Sequence, residues 1–444
     1  MNKRPDGSLA AVLRHIERDY GSQLGVRGLV RNGDSIALVG RRGAQTRDTV
    51  IVTGVYDSAR KVITINFPLR GGTYDFRRDD DPQSAFYPRG KNPSRYVYRA
   101  PPALGDGWIT ASVDQAGIDR AAIERAVQHL AEMSMDSINA PQAHALLIAR
   151  GGKLVVEEYF HGEHRDKLHN PRSASKSVTA TIIGAAMLAG APIKLSTPVY
   201  QVMNGGSFPA GLESRKRAMT LEHLMTMSSG YFCDDNNDQA PGNENGMWDQ
   251  EEEPDFYKFA LKLPMAFDPG EKAIYCSINP NLALGVVGRA AGESPLYLFD
   301  RLVAGPLSIR NYAWALDRAR NPFGGGGLAL TARDFIKFGQ LMLNGGTWQG
   351  RRILSEDFVK RASSPLTKIG DREYGLLWWP QEYPYMNRKV RAFSALGAGG
   401  QVVYVIPELD LVMATLGGSY SSRGWRYLTG EFITSFVLPA VKTR

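Results

Sequence analysis

The chain has 444 residues, of which 43% are hydrophobic and 22% are charged, and its formal net charge at pH 7 is +8. This length and composition are typical of a globular protein with a large core and more than one domain, and no apolar run approaches the roughly 20 residues of a membrane-spanning helix. The two cysteines, Cys233 and Cys276, exclude a disulfide scaffold and a four-thiolate zinc site, so each is expected to be a small, buried apolar side chain.

The predicted elements of the first hundred residues are mostly strands. An amphipathic helix is expected over residues 9–20, and strands are expected over 35–39, 49–55 and 62–67, with Gly, Asn and Asp in the turns between them. An acidic segment at 79–81 could bind calcium. It lacks the EF-hand spacing, so a solvated turn is favoured.

The same hundred residues carry the charge asymmetry of the chain. They hold 18 Lys and Arg against 10 Asp and Glu, which accounts for the whole net charge. The sequence therefore predicts a basic, β-rich accessory lobe at 1–100 and a main domain at 101–444. An anionic partner surface is one interpretation of the basic lobe. Because no run of five or more like charges occurs, scattered solubilising arginines are favoured, and no nucleic-acid partner is expected.

Location and assembly are only partly determined by the sequence. The N-terminus lacks the apolar stretch of a signal peptide. We therefore expect a cytoplasmic protein if the chain is complete, and a periplasmic or secreted one if a leader has been removed. No membrane span is expected, and a homodimer is one option for the assembly.

The main domain is predicted to begin and end with strands. A helix capped by Asp119 comes first, two antiparallel strand pairs follow with helices and long loops between them, and a helix over about 425–438 closes the chain. The strands are expected over 145–149, 154–160, 401–406 and 411–416. Strands at both ends with helices between them predict an α/β sandwich with a helical insertion.

The segment Ser-Ala-Ser-Lys at 173–176 is the strongest indication of chemistry. A serine and a lysine three apart on a helix lie on one face, with roughly 5–6 Å between their Cβ atoms. Ser173 would open a core helix, and Lys176 could act as its base if burial or a neighbouring cation lowers the lysine pKa. The same spacing at 58–61 falls in a predicted hairpin turn, where no such role is expected.

Two other hydrolytic mechanisms fit the sequence less well. A Ser-Asp-His hydrolase needs G-x-S-x-G and a late histidine, but no such motif occurs and the last histidine is His223. The densest set of possible metal ligands lacks the H-E-x-x-H spacing, so a polar loop is favoured and no metal or other cofactor is expected. This set consists of Glu158, His161, Glu163, His164 and His169.

Two further segments fit a serine–lysine enzyme with a tyrosine partner. Tyr275 could relay a proton beside a lysine ammonium, although it could equally be a tyrosine packed at a helix start. The glycine-rich stretch 396–400 enters a strand, and a backbone N–H from it could form an oxyanion hole with the N–H of Ser173. A plain glycine-rich turn is the alternative.

Taken together, these segments resemble the serine β-lactamase/penicillin-binding-protein superfamily, in the class C-like branch with family VIII carboxylesterases and nylon-oligomer hydrolases. The resemblance covers about 105–440 and implies a sandwich of an antiparallel sheet flanked by helices, with a helical subdomain. It implies that Ser173 is the nucleophile and that Lys176 and Tyr275 activate it. Further segments that resemble the family lie at 221–230, 324–328, 331–334, 338–340 and 374–379.

The chain departs from the family pattern in its third motif. The matching stretch, 396–400, has no lysine to hold a carboxylate, which makes efficient β-lactam hydrolysis doubtful and favours uncharged acyl substrates. The second oxyanion donor is therefore ambiguous, and the resemblance favours Ala398 over Gly400. Ser277 replaces an asparagine that often contacts substrate.

The resemblance implies a serine hydrolase that cleaves ester or short amide bonds of a small molecule. A β-lactamase or D-Ala-D-Ala peptidase, or a sensor that is acylated without turnover, are the alternatives. An acid in the loop 231–236 would bind an amine end of the substrate, and the tryptophan pair at 378–379 either lines the pocket or is packed in the fold. The expected substrate-binding residues are Tyr231, Asp234, Asp235, Ser277, Gly397 and Trp378.

Overall fold

The computed structural model describes residues 2–15, 24–41, 46–67, 72–137, 139–420 and 422–442. Two seven-stranded sheets organise these residues, one formed by the first strands of the chain and one at the centre of the main domain. Among the described residues, no helix combines the length and the apolar character needed to cross a bilayer.

The first sheet is an antiparallel meander in which neighbours in sequence are neighbours in space. One face buries a small apolar core that includes Val26, Ile36 and Phe67. The turn at 58–61 joins two of its strands, as predicted. The strands are β1 (Asn2–Lys3), β2 (Leu9–Ala10), β3 (Val26–Asn32), β4 (Ser35–Gly40), β5 (Thr49–Asp57), β6 (Val62–Phe67) and β7 (Gly72–Arg77).

The helix predicted over residues 9–20 is wrong at its start. Leu9 and Ala10 form strand β2, in which Leu9 lies opposite Leu29 of β3. Pairing with the edge of β3 supplies hydrogen-bond partners that an isolated short helix does not have, so the tertiary contact overrides the local pattern. Residues 16–20 of the predicted helix lie outside the described residues.

The lobe and the main domain are joined by specific contacts. The Arg14 guanidinium donates to the carbonyl oxygens of Ser137 and Ala140 at 2.6 and 2.8 Å. Arg89 forms an ion pair with Glu158 of the main sheet. Because residues near 90 already pack on the main domain, the boundary at residue 100 stays a prediction.

The main sheet runs in the order β17-β18-β19-β20-β9-β10-β8 and is antiparallel except for the parallel pair β8 and β10. It brings the two predicted strand pairs together, because β20 lies beside β9. Its strands are β8 (Ile109–Thr110), β9 (Ala143–Arg150), β10 (Lys153–Tyr159), β17 (Trp379–Tyr385), β18 (Arg388–Gly397), β19 (Gln401–Ile406) and β20 (Leu411–Gly417). Three small hairpins complete the strands: β11 (Tyr312–Trp314) with β12 (Leu328–Leu330), β13 (Thr347–Trp348) with β14 (Arg351–Arg352), and β15 (Thr367–Ile369) with β16 (Arg372–Tyr374).

Helices cover both faces of the main sheet and fill the long insertion between β10 and β17. The α-helices are α1 (Arg120–Ala131), α2 (Ser175–Leu188), α3 (Val199–Met203), α4 (Ser214–Ala218), α5 (Leu221–Met225), α6 (Glu244–Asp249), α7 (Phe256–Lys262), α8 (Ile278–Ala291), α9 (Pro295–Phe299), α10 (Ala332–Leu343), α11 (Glu356–Ala362), α12 (Ser422–Arg426) and α13 (Leu438–Ala440). Short 3₁₀ turns lie at Arg172–Ala174 and Pro407–Leu409, and π-helical turns lie at Asp300–Ala304, Tyr427–Glu431 and Ile433–Val437. Asp119 caps α1 by accepting from the N–H of Ala122, as the sequence predicted.

Alternate side chains of the central strands enter two different cores. Leu147 of β9 packs in the core beneath α10, whereas Leu146 and Ile148 pack in the core formed with α1 and the C-terminal helical turns. A sheet buried on both faces needs apolar residues at nearly every position, which is why β9, β19 and β20 read as continuous hydrophobic runs. This arrangement confirms the predicted α/β sandwich.

Helix α10 approaches the sheet closely at Gly339. A Cβ at this position would lie 2.4 Å from Cγ1 of Val403 and 2.7 Å from Cγ1 of Val412. We expect Gly339→Ala to lower the free energy of unfolding by about 1–3 kcal/mol in urea denaturation, because overpacking outweighs the better helix propensity of alanine. Gly246 of α6 has open space around it, so Gly246→Ala is the control and should be neutral or stabilising. Equal effects of the two substitutions would contradict this packing argument.

Candidate active site

The serine of the 173–176 segment lies in a tight turn at the start of the core helix. Ser173 is in the 3₁₀ turn Arg172–Ala174, immediately before α2, rather than within the α-helix itself. The end of β18 packs against this turn: a Cβ at Gly397 would lie 2.1 Å from the carbonyl oxygen of Pro171. Only glycine permits this approach, so the expected substrate-binding position Gly397 has a packing function as well.

Lys176 lies directly beneath the serine hydroxyl. Its side chain is buried, with 2% of the residue exposed. The Nζ atom donates to Oγ of Ser173 at 3.0 Å and to the carbonyl oxygen of Gly325 at 2.6 Å. The carbonyl of Gly325 is a partner that the sequence analysis did not identify, although the glycine run at 324–327 was among the matching segments.

The surroundings of Lys176 act on its pKa in two opposite directions. Burial by itself lowers the pKa of Lys176. The acidic groups of Tyr275, Glu244 and Asp235 act in the opposite direction and prevail, so the pKa of Lys176 is raised above its usual value. The condition under which Lys176 could act as the base, a lowered pKa, is therefore not met, and the raised pKa favours the ammonium form.

Tyr275 meets the serine and the lysine from a distant part of the chain. It lies just before α8, and the Nζ atom of Lys176 is 5.0 Å from the centre of its ring. On the other side the ring stacks on Trp379, with 5.9 Å between centroids and an interplanar angle of 24°. The three residues predicted to act together are thus brought together.

These groups line an open cleft of about 530 Å³. Ser173, Tyr275, Trp379, Arg372, Asn236 and Ala398 are among its lining residues. A larger groove of about 990 Å³ around Lys360 and Arg391 contains none of the three predicted catalytic residues. The cleft at Ser173 is therefore the candidate active site.

The acidic loop reaches this cleft differently from the prediction. Asp235 is occupied within the protein, because its Oδ2 atom accepts from the N–H and the hydroxyl of Ser277 at 2.8 and 2.6 Å. Burial raises the pKa of Asp235 despite the nearby Lys176 charge. Asp234 accepts from the N–H of Asn236, and it is Asn236 that lines the cleft.

Two expected substrate-binding aromatic residues lie outside the cleft lining. Tyr231 is buried, and its hydroxyl is hydrogen-bonded to that of Tyr200 at 2.8 Å. Trp378 is fully buried and packs edge-on against Phe393. Trp379, which follows Trp378 in sequence and is the first residue of β17, lines the cleft instead.

The glycine-rich stretch ends β18 beside the serine turn. Ala398 is exposed and lines the cleft, whereas Gly400 is buried against Leu428. Within the described residues, neither the N–H of Ser173 nor that of Ala398 donates to another protein atom. Two backbone N–H groups without an acceptor thus belong to residues that line the same cleft.

The histidines of the possible metal loop have other contacts. His169 is hydrogen-bonded to His144 at 2.8 Å, and His161 bonds to the carbonyl oxygen of Ala85. Burial lowers the pKa of His161 to about 4. Across the described ranges, no group of three or more His, Cys, Asp or Glu is arranged to hold a metal ion.

The two cysteines form a disulfide, with their Cα atoms 5.7 Å apart. Both were expected to be separate apolar side chains; they are buried, as expected, but bonded to each other. The spacing of 43 residues gave no indication of this pairing, which depends on the fold. The bond ties the 231–236 loop to the residue that follows Tyr275, and so fixes two sides of the cleft to each other.

One family model and several known proteins are similar to this chain. A family model described as Beta-lactamase matches residues 123–418. A 6-aminohexanoate-dimer hydrolase of Paenarthrobacter ureafaciens is 25% identical over 309 residues, which is 64% of this chain and 75% of that protein. Among solved structures, EstCE1, a hydrolase with promiscuous acyltransferase activity, superposes with a TM-score of 0.56 at 15% identity, over 71% of this chain and 99% of that one. A penicillin-binding protein homologue from Caulobacter crescentus superposes with a TM-score of 0.51 at 16% identity, over 69% and 95% of the two chains. At 15% and 16% identity, the superpositions on EstCE1 and on the Caulobacter protein show a shared fold and nothing further.

Removing the disulfide should destabilise the protein. A loop of this length restricts the unfolded chain, so we expect the double variant Cys233→Ser with Cys276→Ser to lose about 2–4 kcal/mol of unfolding free energy in urea. Dithiothreitol should destabilise the wild type and leave the double variant unchanged. A wild type that keeps its stability after complete reduction would contradict this expectation.

The raised pKa of Lys176 predicts a pH dependence of stability. An unfolded lysine titrates near pH ~10.4, so the stabilisation is complete below that pH and is lost as the pH rises through the higher folded value. We expect the unfolding free energy to fall more steeply above about pH 10 in the wild type than in Lys176→Met. The variant Lys368→Met, at an exposed position, should follow the wild type. Parallel curves for wild type and Lys176→Met would show that the lysine is not held as an ammonium group.

Proposed function

This chain belongs to the β-lactamase family, and on that premise we propose that it is a serine hydrolase that cleaves ester or short amide bonds through an acyl-enzyme on Ser173. The observation that carries the proposal is the position of Lys176. Its amine is 3.0 Å from the Ser173 hydroxyl and 5.0 Å from the Tyr275 ring, at the base of an open cleft. A serine becomes a nucleophile when groups beside it can take its proton.

In the proposed acylation step, Ser173 attacks the substrate carbonyl and Lys176 and Tyr275 together accept and relay the serine proton. The raised pKa of Lys176 favours the ammonium form, which has no lone pair. Within the pair, the Tyr275 oxygen therefore takes the serine proton, and Lys176 stabilises the negative charge that the reaction involves. The tyrosine then passes the proton to the leaving group. Water enters after the leaving group has departed, and the same pair activates it to release the acid.

The oxyanion would be bound by the N–H groups of Ser173 and Ala398. Support for this pair comes from their lack of any other acceptor among the described residues and from the position of Ala398 in the cleft lining. Gly400 is the second choice, and its burial against Leu428 counts against it. Each donor in such a site typically contributes about 10²–10³-fold in rate.

The substrate class rests on two observations. The Paenarthrobacter relative is a 6-aminohexanoate-dimer hydrolase, which supports including amides. The stretch 396–400 has no lysine, which counts against the alternative of an efficient β-lactamase. Nitrocefin turnover as fast as ester turnover would favour that alternative. A burst of product without further turnover would favour a sensor that is acylated only.

Substitutions at the serine and tyrosine test the mechanism. We expect Ser173→Ala to abolish both hydrolysis of p-nitrophenyl esters and labelling by a fluorophosphonate, because the acyl-enzyme cannot form. Tyr275→Phe should lower kcat by about 10²–10⁴-fold, because the proton acceptor is lost.

The matched control lies in the same segment. Ser175 is buried, and its hydroxyl has no hydrogen-bond partner among the described residues, so Ser175→Ala should keep activity and labelling. Full esterase activity in Ser173→Ala would refute the assignment of the nucleophile.

A further inference from the structure

Arg372 begins a row of contacting side chains that leads through Trp379 and Tyr275 to Lys176, beside the proposed nucleophile. Its guanidinium carbon is 4.2 Å from the ring centre of Trp379. Trp379 stacks on Tyr275 at 5.9 Å, and Tyr275 lies 5.0 Å from the ammonium of Lys176. Arg372 is therefore two stacking steps from the tyrosine of the proposed mechanism.

Arg372 is the one charged residue among the described residues that line this cleft. The remaining lining residues are serine, asparagine, aromatic, aliphatic, glycine and alanine side chains. A guanidinium over the face of an indole keeps its N–H groups directed along the ring plane, where they can reach a ligand.

No carboxylate of the described residues neutralises this guanidinium. Its neighbours in the chain, Asp371 and Glu373, form no ion pair with it, and its guanidinium N–H groups donate to no other described residue. Other arginines of the main domain do have such partners: Arg333 pairs with Asp106 at 2.6 Å. The cleft thus presents an uncompensated cation beside an aromatic wall.

We propose that Arg372 forms an anion-binding subsite and that the substrate of this cleft carries a carboxylate at the end of its chain. The proposal rests on the proposed function, because it assigns the subsite to the substrate of Ser173. A guanidinium can bind both oxygens of a carboxylate through two parallel hydrogen bonds, a stronger interaction than one between neutral groups. The cation comes from β16 rather than from the 396–400 stretch, and so the proposal replaces the sequence-based expectation of uncharged acyl substrates.

A pair of esters that differ only in charge tests the subsite. Mono-p-nitrophenyl adipate has a free carboxylate, and p-nitrophenyl methyl adipate has a neutral ester at the same place. We expect the wild type to favour the anionic ester in kcat/KM by about tenfold or more, mainly through a lower KM. Arg372→Gln should reduce this preference to about one.

The control variant is Lys368→Gln, on the same hairpin. Lys368 is exposed and does not line the cleft, so its loss should leave the preference unchanged. A wild type without the preference, or an Arg372→Gln variant that retains it, overturns the subsite. An equal loss of activity toward both esters in Arg372→Gln overturns it as well, because a purely structural role would act on both.

A binding measurement separates this proposal from the proposed function. Calorimetric titration with adipate, and with adipamide as the neutral probe, needs no turnover. We expect Arg372→Gln to weaken adipate binding at least tenfold and to leave adipamide binding unchanged. If Ser173→Ala keeps its esterase activity while adipate binding still depends on Arg372, the proposed function fails and the anion site stands. If hydrolysis depends on Ser173 but adipate binds equally well to wild type and Arg372→Gln, the function stands and the anion site fails.

Discussion

The candidate site depends on one buried ammonium group. Lys176 has lost almost all contact with water, and an isolated charge in that position would be strongly unfavourable. Its hydrogen bonds to Ser173 and Gly325, and the acidic groups around it, compensate for the lost hydration. All of these partners except Ser173 come from other parts of the chain, so the charge can be buried only when those parts are in place. The position of the Ser173 hydroxyl and the stability of the fold are therefore linked at this residue.

The two-faced sheet supplies the rigid support for this arrangement. Its central strands are buried on both sides. At two places the neighbouring element packs so closely that only a glycine leaves enough room. Gly339 sets the approach of α10 to the sheet, and Gly397 sets the approach of β18 to the serine turn. A side chain at Gly397 would push the strand end that carries Ala398 away from Ser173. Close packing at these glycines therefore determines where the backbone N–H groups of Ser173 and Ala398 lie relative to each other.

A second set of links holds the opposite wall of the cleft. The disulfide joins Cys233 to Cys276, and the carboxylate of Asp235 binds Ser277 two residues after Tyr275. Both links connect the 231–236 loop to the segment that carries the tyrosine. An acid that appears in the sequence to be available for substrate is used instead to position a neighbouring segment. The cleft is lined instead by Asn236 and by the aromatic wall of Tyr275 and Trp379.

The sequence determined the elements whose pattern is local. Hydrophobic runs predicted β4, β5 and β6 of the first sheet and β9, β10, β19 and β20 of the main sheet. The cap at Asp119 predicted the start of α1, and the spacing of Ser173 and Lys176 placed a hydroxyl and an amine side by side. Each of these depends on residues a few positions apart. The convergence of Tyr275 with that pair was predicted only by resemblance to a family.

Tertiary structure alone decided the disulfide, the raised pKa of Lys176, the use of Asp235 by Ser277, and the exchange of Trp378 for Trp379 in the cleft. It also decided that Arg372 lies over the Trp379 ring without an ion pair to any described acid. These features arise between residues far apart in the chain. Charge, burial and partner are properties of the surroundings of a side chain, and a linear sequence does not specify those surroundings until the chain has folded.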